Sequence, residues 1–373
     1  ETLYISAGIV DTIQPSAAKL FAINKSRGFV VPSETPNDIW YSKEYITADC
    51  LSFSDAFVKR VDASGGDIKA IATMDDKVVF FKDQRIGFFS GDGPFDTGAQ
   101  DTFTEPETIT VDVGIQDAES LTLTSQGLYF KSSKGIHILT RSLEVEYVGA
   151  DVEAYNADTI TSANLIPDTN QVRFTTSSGV ALVYDYYRQK WQVFNNHDIK
   201  DSVIFDGVYT YLSNQNSKVY QESSGFYKDG NVNIPMIVET GWLKLNDLQG
   251  FMRCWRGAIL GKFLSDHQLK ISIAYDYQPY YADFIYWNAG SVLETETFGG
   301  GSLFGDSEAF GGSTDYVYQV RFDMPRQKFQ SVKFKLEDVV SGDSNASMEL
   351  SHLMLECGVK RGLNKLRSEK SVG

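Results

Sequence analysis

This chain of 373 residues contains only 9 prolines, 3 cysteines and 4 histidines. It also has no run of about 18 apolar residues, the length a membrane-spanning helix needs. Cys50, Cys254 and Cys357 are too few and too scattered for a secreted disulfide framework, and none has metal-ligand spacing. They read as small buried thiols in a reducing compartment. His137, His197, His267 and His352 are never paired at HxH or HExxH spacing, so zinc chemistry is not expected. No basic-then-apolar leader opens the sequence. Because it begins at Glu1, it reads as a processed protein or as the ordered part of a longer polypeptide.

Positive charge is scarce too. Lys and Arg total 34 against 49 Asp and Glu, giving a net charge of -15. That balance argues against a protein that wraps or grooves nucleic acid, because neutralising phosphates takes clustered cations. It leaves open DNA passing close by without sticking. Nucleotide signatures are absent, with no GxGxxG after a strand and no GxxxxGK[ST], and there is no GxSxG elbow. The segment Ser90–Asp96 brings Asp92 and Asp96 close in sequence, with Asp101 beyond. The ligand order and closing Glu of an EF-hand are missing, so the expectation is a turn rather than a calcium loop.

What the chain does have is aromatic and β-branched sequence. Its 24 Phe and 20 Tyr bring aromatics to 13% within a 42% hydrophobic composition. Such residues suit half-buried pleated strands, so an almost all-β protein is expected. Four segments share one design of apolar strand, tight polar turn and second aromatic strand: Ile68–Phe81, Leu121–Phe130, Ala163–Phe174 and Val203–Tyr211. Aligned at Val78, Leu128, Val172 and Val208, they lie roughly 50, 44 and 36 residues apart, close to the blade length of a β-propeller. The first three units each add a further strand, at Arg85–Phe89, Gly135–Leu139 and Val180–Tyr184, while a shorter last unit near Ser217–Tyr227 is where a ring would close.

The expected organisation is a β-propeller over residues 1–230, a jelly-roll-like β-sandwich over 231–359 and a basic tail over 360–373. Before Asp67, the strand candidates Leu3–Ser6, Lys19–Ile23 and Asp38–Ser42 read as one more blade or parts of two, with a rim loop from Pro32 to Asn37. After Asn231 longer strands without blade spacing follow: Met236–Leu245, Arg253–Gly261, Leu269–Tyr275, Val317–Phe322, Ser331–Leu336 and Met348–Glu356. The glycine-rich stretch Phe298–Gly312 reads as a surface loop whose Phe298, Phe304 and Phe310 could dock on a neighbouring subunit. In the tail, Lys360, Arg361, Lys365 and Arg367 read as a subunit contact or a solvated end rather than a DNA grip.

Particular phrases carry a family resemblance. Asp75–Lys82 with Ser90–Pro94, Gln126–Leu139, Val148–Glu153, Tyr184–Trp191 and the closing Glu356–Leu366 resemble the tail nozzle or packaged-DNA stabilisation proteins of short-tailed bacteriophages. The resemblance spans most of the chain from Asp67 onward and rests on structural phrases, not catalytic motifs. It implies a virion protein with no catalytic residues and no cofactor, assembled in the host cytoplasm and carried in the tail. It further implies a homo-oligomeric ring, six-fold by resemblance, bound to a tail adaptor or portal and often to fibres. Viral DNA would touch its channel transiently, and no membrane insertion is implied. An acidic wall would repel phosphate and keep such a channel from sticking. Two other readings stand beside it: a glycan-binding or glycan-cleaving propeller, which needs two converging carboxylates, and a cellular scaffold that binds a protein partner. The sialidase-like Ser-x-Asp-x-Gly-x-Thr-Trp box is missing from the blade turns, which lowers the first of these.

Overall fold

A computed structural model of the chain describes residues 9–45, 51–223, 225, 227–229, 232–244, 252–263, 267–288, 316–339 and 348–359. The protein is all-β: among the described residues 56% lie in strands and 3% in helix. It divides into two compact units, Glu1–Glu222 and Ser223–Gly373.

Among its described residues the first unit forms five antiparallel sheets, each pairing its strands in chain order. Sheet 1 holds β1 (Ala18–Asn24), β2 (Arg27–Pro32), β3 (Asp38–Ser42) and β4 (Phe53–Arg60), so the expected strands Lys19–Ile23 and Asp38–Ser42 share one four-stranded sheet, while Leu3–Ser6 lies outside the described residues. Sheet 2 holds β5 (Ala70–Met74), β6 (Lys77–Phe81), β7 (Ile86–Ser90) and β8 (Glu107–Thr110). Sheet 3 holds β9 (Asp117–Leu123), β10 (Gly127–Ser132), β11 (Gly135–Thr140) and β12 (Val145–Tyr147). In sheet 4 come β13 (Ile160–Ile166), β14 (Gln171–Thr176), β15 (Ala181–Asp185) and β16 (Lys190–Phe194). Sheet 5 has three strands, β17 (Ile199–Phe205), β18 (Val208–Ser213) and β19 (Val219–Gln221). The β17–β18 hairpin turns on Asp206 and Gly207 at φ of 50° and 77°. Two successive positive φ values are what a tight two-residue hairpin demands, hence the Asp-Gly pair.

Alternation within the strands explains why the sheets stack. Val78 and Phe80 of β6 join Phe29, Ile39, Tyr41 and Phe57 of sheet 1 in one core. Their neighbours Val79 and Phe81 point the other way, into a core with Leu128, Phe130 and Leu139 of sheet 3. A strand buried on both faces must be apolar throughout, which is why Val78–Phe81 is an unbroken run. Tyr129, Ile136 and Ile138 then meet Val172, Phe174 and Leu182 of sheet 4, and Ile166 meets Ile199 and Tyr209 of sheet 5. Each buried Phe, Val or Leu contributes roughly 1.5–3 kcal/mol. The first strands adjoin in the same order, β1 to β5, β5 to β9, β9 to β13 and β13 to β17.

Buried cations fasten the sheets to one another. Lys82, directly after β6, donates to Asn37 Oδ1, to the Asp62 carbonyl at 2.6 Å and to the Gly66 carbonyl at 2.8 Å. Those oxygens lie in the turns bordering sheet 1, and burial lowers the lysine pKa. Lys131 of β10, on the opposite face of its strand, reaches forward instead: it pairs with Asp117 and donates to the Asp158 carbonyl just before β13. Between sheets 4 and 5 the Arg173 guanidinium lies 4.9 Å from the Tyr209 ring centroid and 5.6 Å from that of Phe194.

The second unit begins with the short hairpin β20 (Lys228–Asp229) and β21 (Val232–Asn233). Next come β22 (Ile237–Glu239), β23 (Met252–Phe263), β24 (Gln268–Tyr275), β25 (Asp283–Asn288) and β26 (Tyr316–Asp323). β27 (Lys328–Phe329), β28 (Val332–Val339) and β29 (Met348–Val359) complete it. One sheet has the order β22-β28-β24-β25; the other is β26-β23-β27, with β29 pairing along β23. Inward residues of the two sheets share a single core: Ile259, Phe263, Val320 and Phe322 from one, Ile271, Ile273, Phe334 and Leu336 from the other. Of the segment 236–245, expected as one long strand, the described residues 236–244 supply the three residues of β22 and a separate Leu243–Val332 bridge. Gly241 and Trp242 interrupt the ladder between them, and glycine weakens a strand interior.

Candidate assembly surfaces

The chemistry-bearing residues do not converge. Asp92 is occupied by Lys25, Asp96 accepts from the Glu44 backbone N–H at 3.1 Å, and Asp101 accepts from the Phe103 N–H at 3.0 Å and pairs with Lys59 at 3.3 Å. The Ser90–Asp96 segment is thus a turn fastened by its own carboxylates. Among the described residues no group of three or more His, Cys, Asp or Glu could hold a metal ion. His137 is buried in β11, its Nδ1 within 3.0 Å of the Gly135 carbonyl, and burial lowers its pKa. His352 is exposed on β29.

A cavity of about 170 Å³ lies beside the β1–β2 turn, lined by Lys25, Arg27, Phe29, Glu44, Asp92 and Phe103. Arg27 is committed to its walls, donating to the carbonyls of Ser42 at 2.8 Å, Asp92 at 3.0 Å and Pro94. Ligand pockets for drug-sized molecules run to roughly 300–1,000 Å³, well above this cavity.

The unusual surfaces are the outward faces of the first and last sheets of the first unit. On β1, Leu20 and Ala22 pack toward sheet 2. Their alternates Phe21 and Ile23 point the opposite way and remain 53% and 59% exposed. Cross-strand pairing continues that face through Val30, Trp40 and Val58, because Phe21 opposes Val30, Val30 opposes Trp40 and Trp40 opposes Val58; Val30 is buried and Trp40 and Val58 half-buried, so the exposure is concentrated on β1. Leu51 extends it beside Gly28 and Phe21 and is exposed. Gly28 lies under this face: a Cβ there would sit 3.1 Å from Phe21 and 3.2 Å from Leu51, so those side chains would have to give by a few tenths of an ångström.

Sheet 5 mirrors this arrangement. Ser202 and Ile204 of β17 face sheet 4, where Ser202 and Ser162 share a 2.9 Å hydrogen bond. Asp201, Val203 and Phe205 alternate onto the other face, opposite Leu212, Thr210 and Val208 of β18. Val203, Phe205 and Val219 are 55%, 67% and 68% exposed. One outward face therefore carries Phe21 and Ile23 preceded by Lys19, and the other carries Val203 and Phe205 preceded by Asp201.

In the second unit the outer face of the β22-β28-β24-β25 sheet is polar. Lys333 pairs with Glu239, and Lys270 and Lys335 both approach Glu337, at 3.6 and 3.5 Å. Only its β25 edge is aromatic, with Phe284 and Tyr286 exposed and Lys270 Nζ 5.4 Å from the Phe284 ring centroid.

The residues singled out in the sequence as subunit contacts, Phe298, Phe304, Phe310, Lys360, Arg361, Lys365 and Arg367, lie outside the described residues, as does Cys50. Phe21, Ile23, Val203, Phe205 and Val219 were not singled out. Their signal was the strict alternation along β1 and β17, which marks a two-faced strand but not which face stays uncovered.

No family model matches the chain, and no curated protein matches it. Among solved structures it is similar to a chain of the nidogen/laminin complex, with a TM-score of 0.37 and 9% identity over 55% of this chain and 75% of that one. It is similar also to a chain of the mitotic checkpoint complex, with a TM-score of 0.37 and 10% identity over 55% of this chain and 61% of that one. A third is the extracellular domain of a hybrid two-component system from B. thetaiotaomicron, with a TM-score of 0.36 and 10% identity over 58% and 32%.

Proposed function

We propose that this protein is a structural subunit of the tail nozzle of a short-tailed bacteriophage, a virion protein and not an enzyme. In this reading the first unit is a β-propeller left open between its first and last blades. The second is a jelly-roll-like β-sandwich, and residues 360–373 form a basic tail. Copies associate into a homo-oligomeric ring, six-fold by the family resemblance, around a channel through which the genome leaves. A tail adaptor or portal binds the ring on one side, fibres attach to it, and DNA passes transiently.

The observation that carries the reading is the pair of outward faces on which described apolar side chains, Phe21 and Ile23 on one and Val203 and Phe205 on the other, stay exposed. The outward face of sheet 1 is the one through which every later sheet packs on its predecessor. The outward face of sheet 5 is the one through which every earlier sheet packs on its successor. Two such faces on one molecule are complementary by construction, and Lys19 beside one and Asp201 beside the other add opposite charge. Exposed apolar patches of this kind mark protein interfaces, and the occupant that fits both is a second copy of this chain. A contact between two different faces of identical copies is heterologous, and heterologous contacts generate rings when the rotation closes. The net charge of -15 suits a conduit that must not hold DNA.

Negative-stain images of the purified chain test the proposal. Closed rings with a central hole are the expected result. Two-fold dimers with no hole would contradict it, since they require a self-complementary patch instead.

A further inference from the structure

Cys254 and Cys357 face each other across two antiparallel strands. They are register partners in the β23–β29 pairing. The backbone N–H of Cys254 donates to the Gln327 carbonyl at 2.9 Å, on the side of β23 away from β29. Toward β29, then, the two cysteines form a non-hydrogen-bonded pair, directly before a bulge at Trp255; in a regular ladder such a pair holds its Cα atoms about 4.5 Å apart with the side chains closest. That spacing falls inside the roughly 4.4–6.8 Å that disulfides span. Both side chains lie on the same face, since buried Cys254 belongs to the core of the second unit and half-buried Cys357 packs against it. Both are thiols here, with Cys254 Sγ donating to the Arg256 carbonyl at 3.6 Å. The thiol of Cys357 is close enough to hydrogen-bond that of Cys254, and burial with this contact pushes the Cys254 pKa up to about 12.

We infer that Cys254 and Cys357 are a site of reversible oxidative modification, closing to a disulfide that fastens the β29 edge strand to β23. The co-reactant is a peroxide. Cys357 is the half-exposed partner, and peroxide reaches it first. Its sulfur takes one oxygen as the O–O bond breaks, giving a sulfenic acid and one water. The Cys254 sulfur then attacks Cys357 Sγ; the S–S bond forms, the S–O bond breaks, and the departing hydroxyl leaves as water with the Cys254 proton. Overall, two thiols are oxidised and one peroxide is reduced to two waters. Because the thiolate is the attacking species, the second step quickens as pH rises toward the Cys254 value.

The test uses the full chain, treated with hydrogen peroxide, then unfolded for thiol titration and digested for mass spectrometry. The expected result is a fall from three titratable thiols to one, Cys50, with a linked peptide pair holding residues 254 and 357 that reductant separates. Cys50→Ser should leave this linkage intact, whereas the edge-strand variant Cys357→Ser should abolish it. Three thiols persisting under peroxide, a linkage to Cys50, a linkage between copies, or Cys357 oxidised to a sulfinic acid without a link would each overturn the inference.

Discussion

Lys131 and Asp117 form a 2.9 Å ion pair almost entirely withdrawn from water, with the lysine side chain 2% exposed and the aspartate 8%. The same Asp117 oxygen accepts from the backbone N–H of Ile160 at 2.9 Å, and Lys131 also donates to the Asp158 carbonyl. One pair thus holds the start of sheet 3 to the start of sheet 4. Removing one partner of a buried pair leaves the other charge uncompensated, at a cost of roughly 3–5 kcal/mol. Lys131→Met should therefore lower the urea midpoint of unfolding far more than the exposed Lys200→Met. Equal midpoints would show that the pair fastens nothing.

Alkaline pH should unfold the protein early. Burial raises the pKa of Tyr41, Tyr129 and Tyr275 above the ordinary tyrosine value. A raised folded pKa means that the unfolded phenol loses its proton first, so this stability is complete below about pH 10 and drains away as pH rises beyond it. Unfolding followed against pH by circular dichroism should fall in that window. Phenolate absorbance that develops in full, with no loss of structure, would contradict it.

Gly257 of β23 lies under the Phe322 ring, where an added Cβ would sit 2.1 Å from the ring's Cζ. Gly257→Ala should overpack the core of the second unit and destabilise it by about 1–3 kcal/mol. Urea titration of the variant checks this, and an unchanged midpoint would show that the ring can move aside.

Association should depend on the outward faces. Phe205 is two-thirds exposed on sheet 5, so Phe205→Glu should weaken assembly at least tenfold without changing the thermal midpoint of the chain. Lys19→Asp should weaken it less, and Lys19→Asp combined with Asp201→Lys should restore part of the loss. Sedimentation velocity across a concentration series reads all three. No recovery in the double variant would mean that these two charges do not meet.

Much of the strand pattern was legible because it is local. Val78, Leu128, Val172 and Val208 each fall in the second strand of a sheet, and the polar turns before them hold Asp75, Asn170 and Asp206 at positive φ. What was not legible depends on distant partners. Lys82 and Lys131 look in sequence like ordinary solvated strand-end lysines, and only the turn carbonyls of Asp62, Gly66 and Asp158 make them buried fasteners. Likewise 236–245 reads as one apolar strand, yet its pairing with β28 is broken at Gly241 and Trp242. The uncovered state of Phe21 and Phe205 is a property of which sheets come first and last, and no local pattern encodes that.

The central claim is that two complementary apolar faces drive copies of this chain together. The mass of the purified protein in solution, measured by light scattering over a range of concentrations, tests it most directly. A mass that is a fixed multiple of 41.6 kDa above two copies is the predicted result. A mass of 41.6 kDa at every concentration would contradict the account.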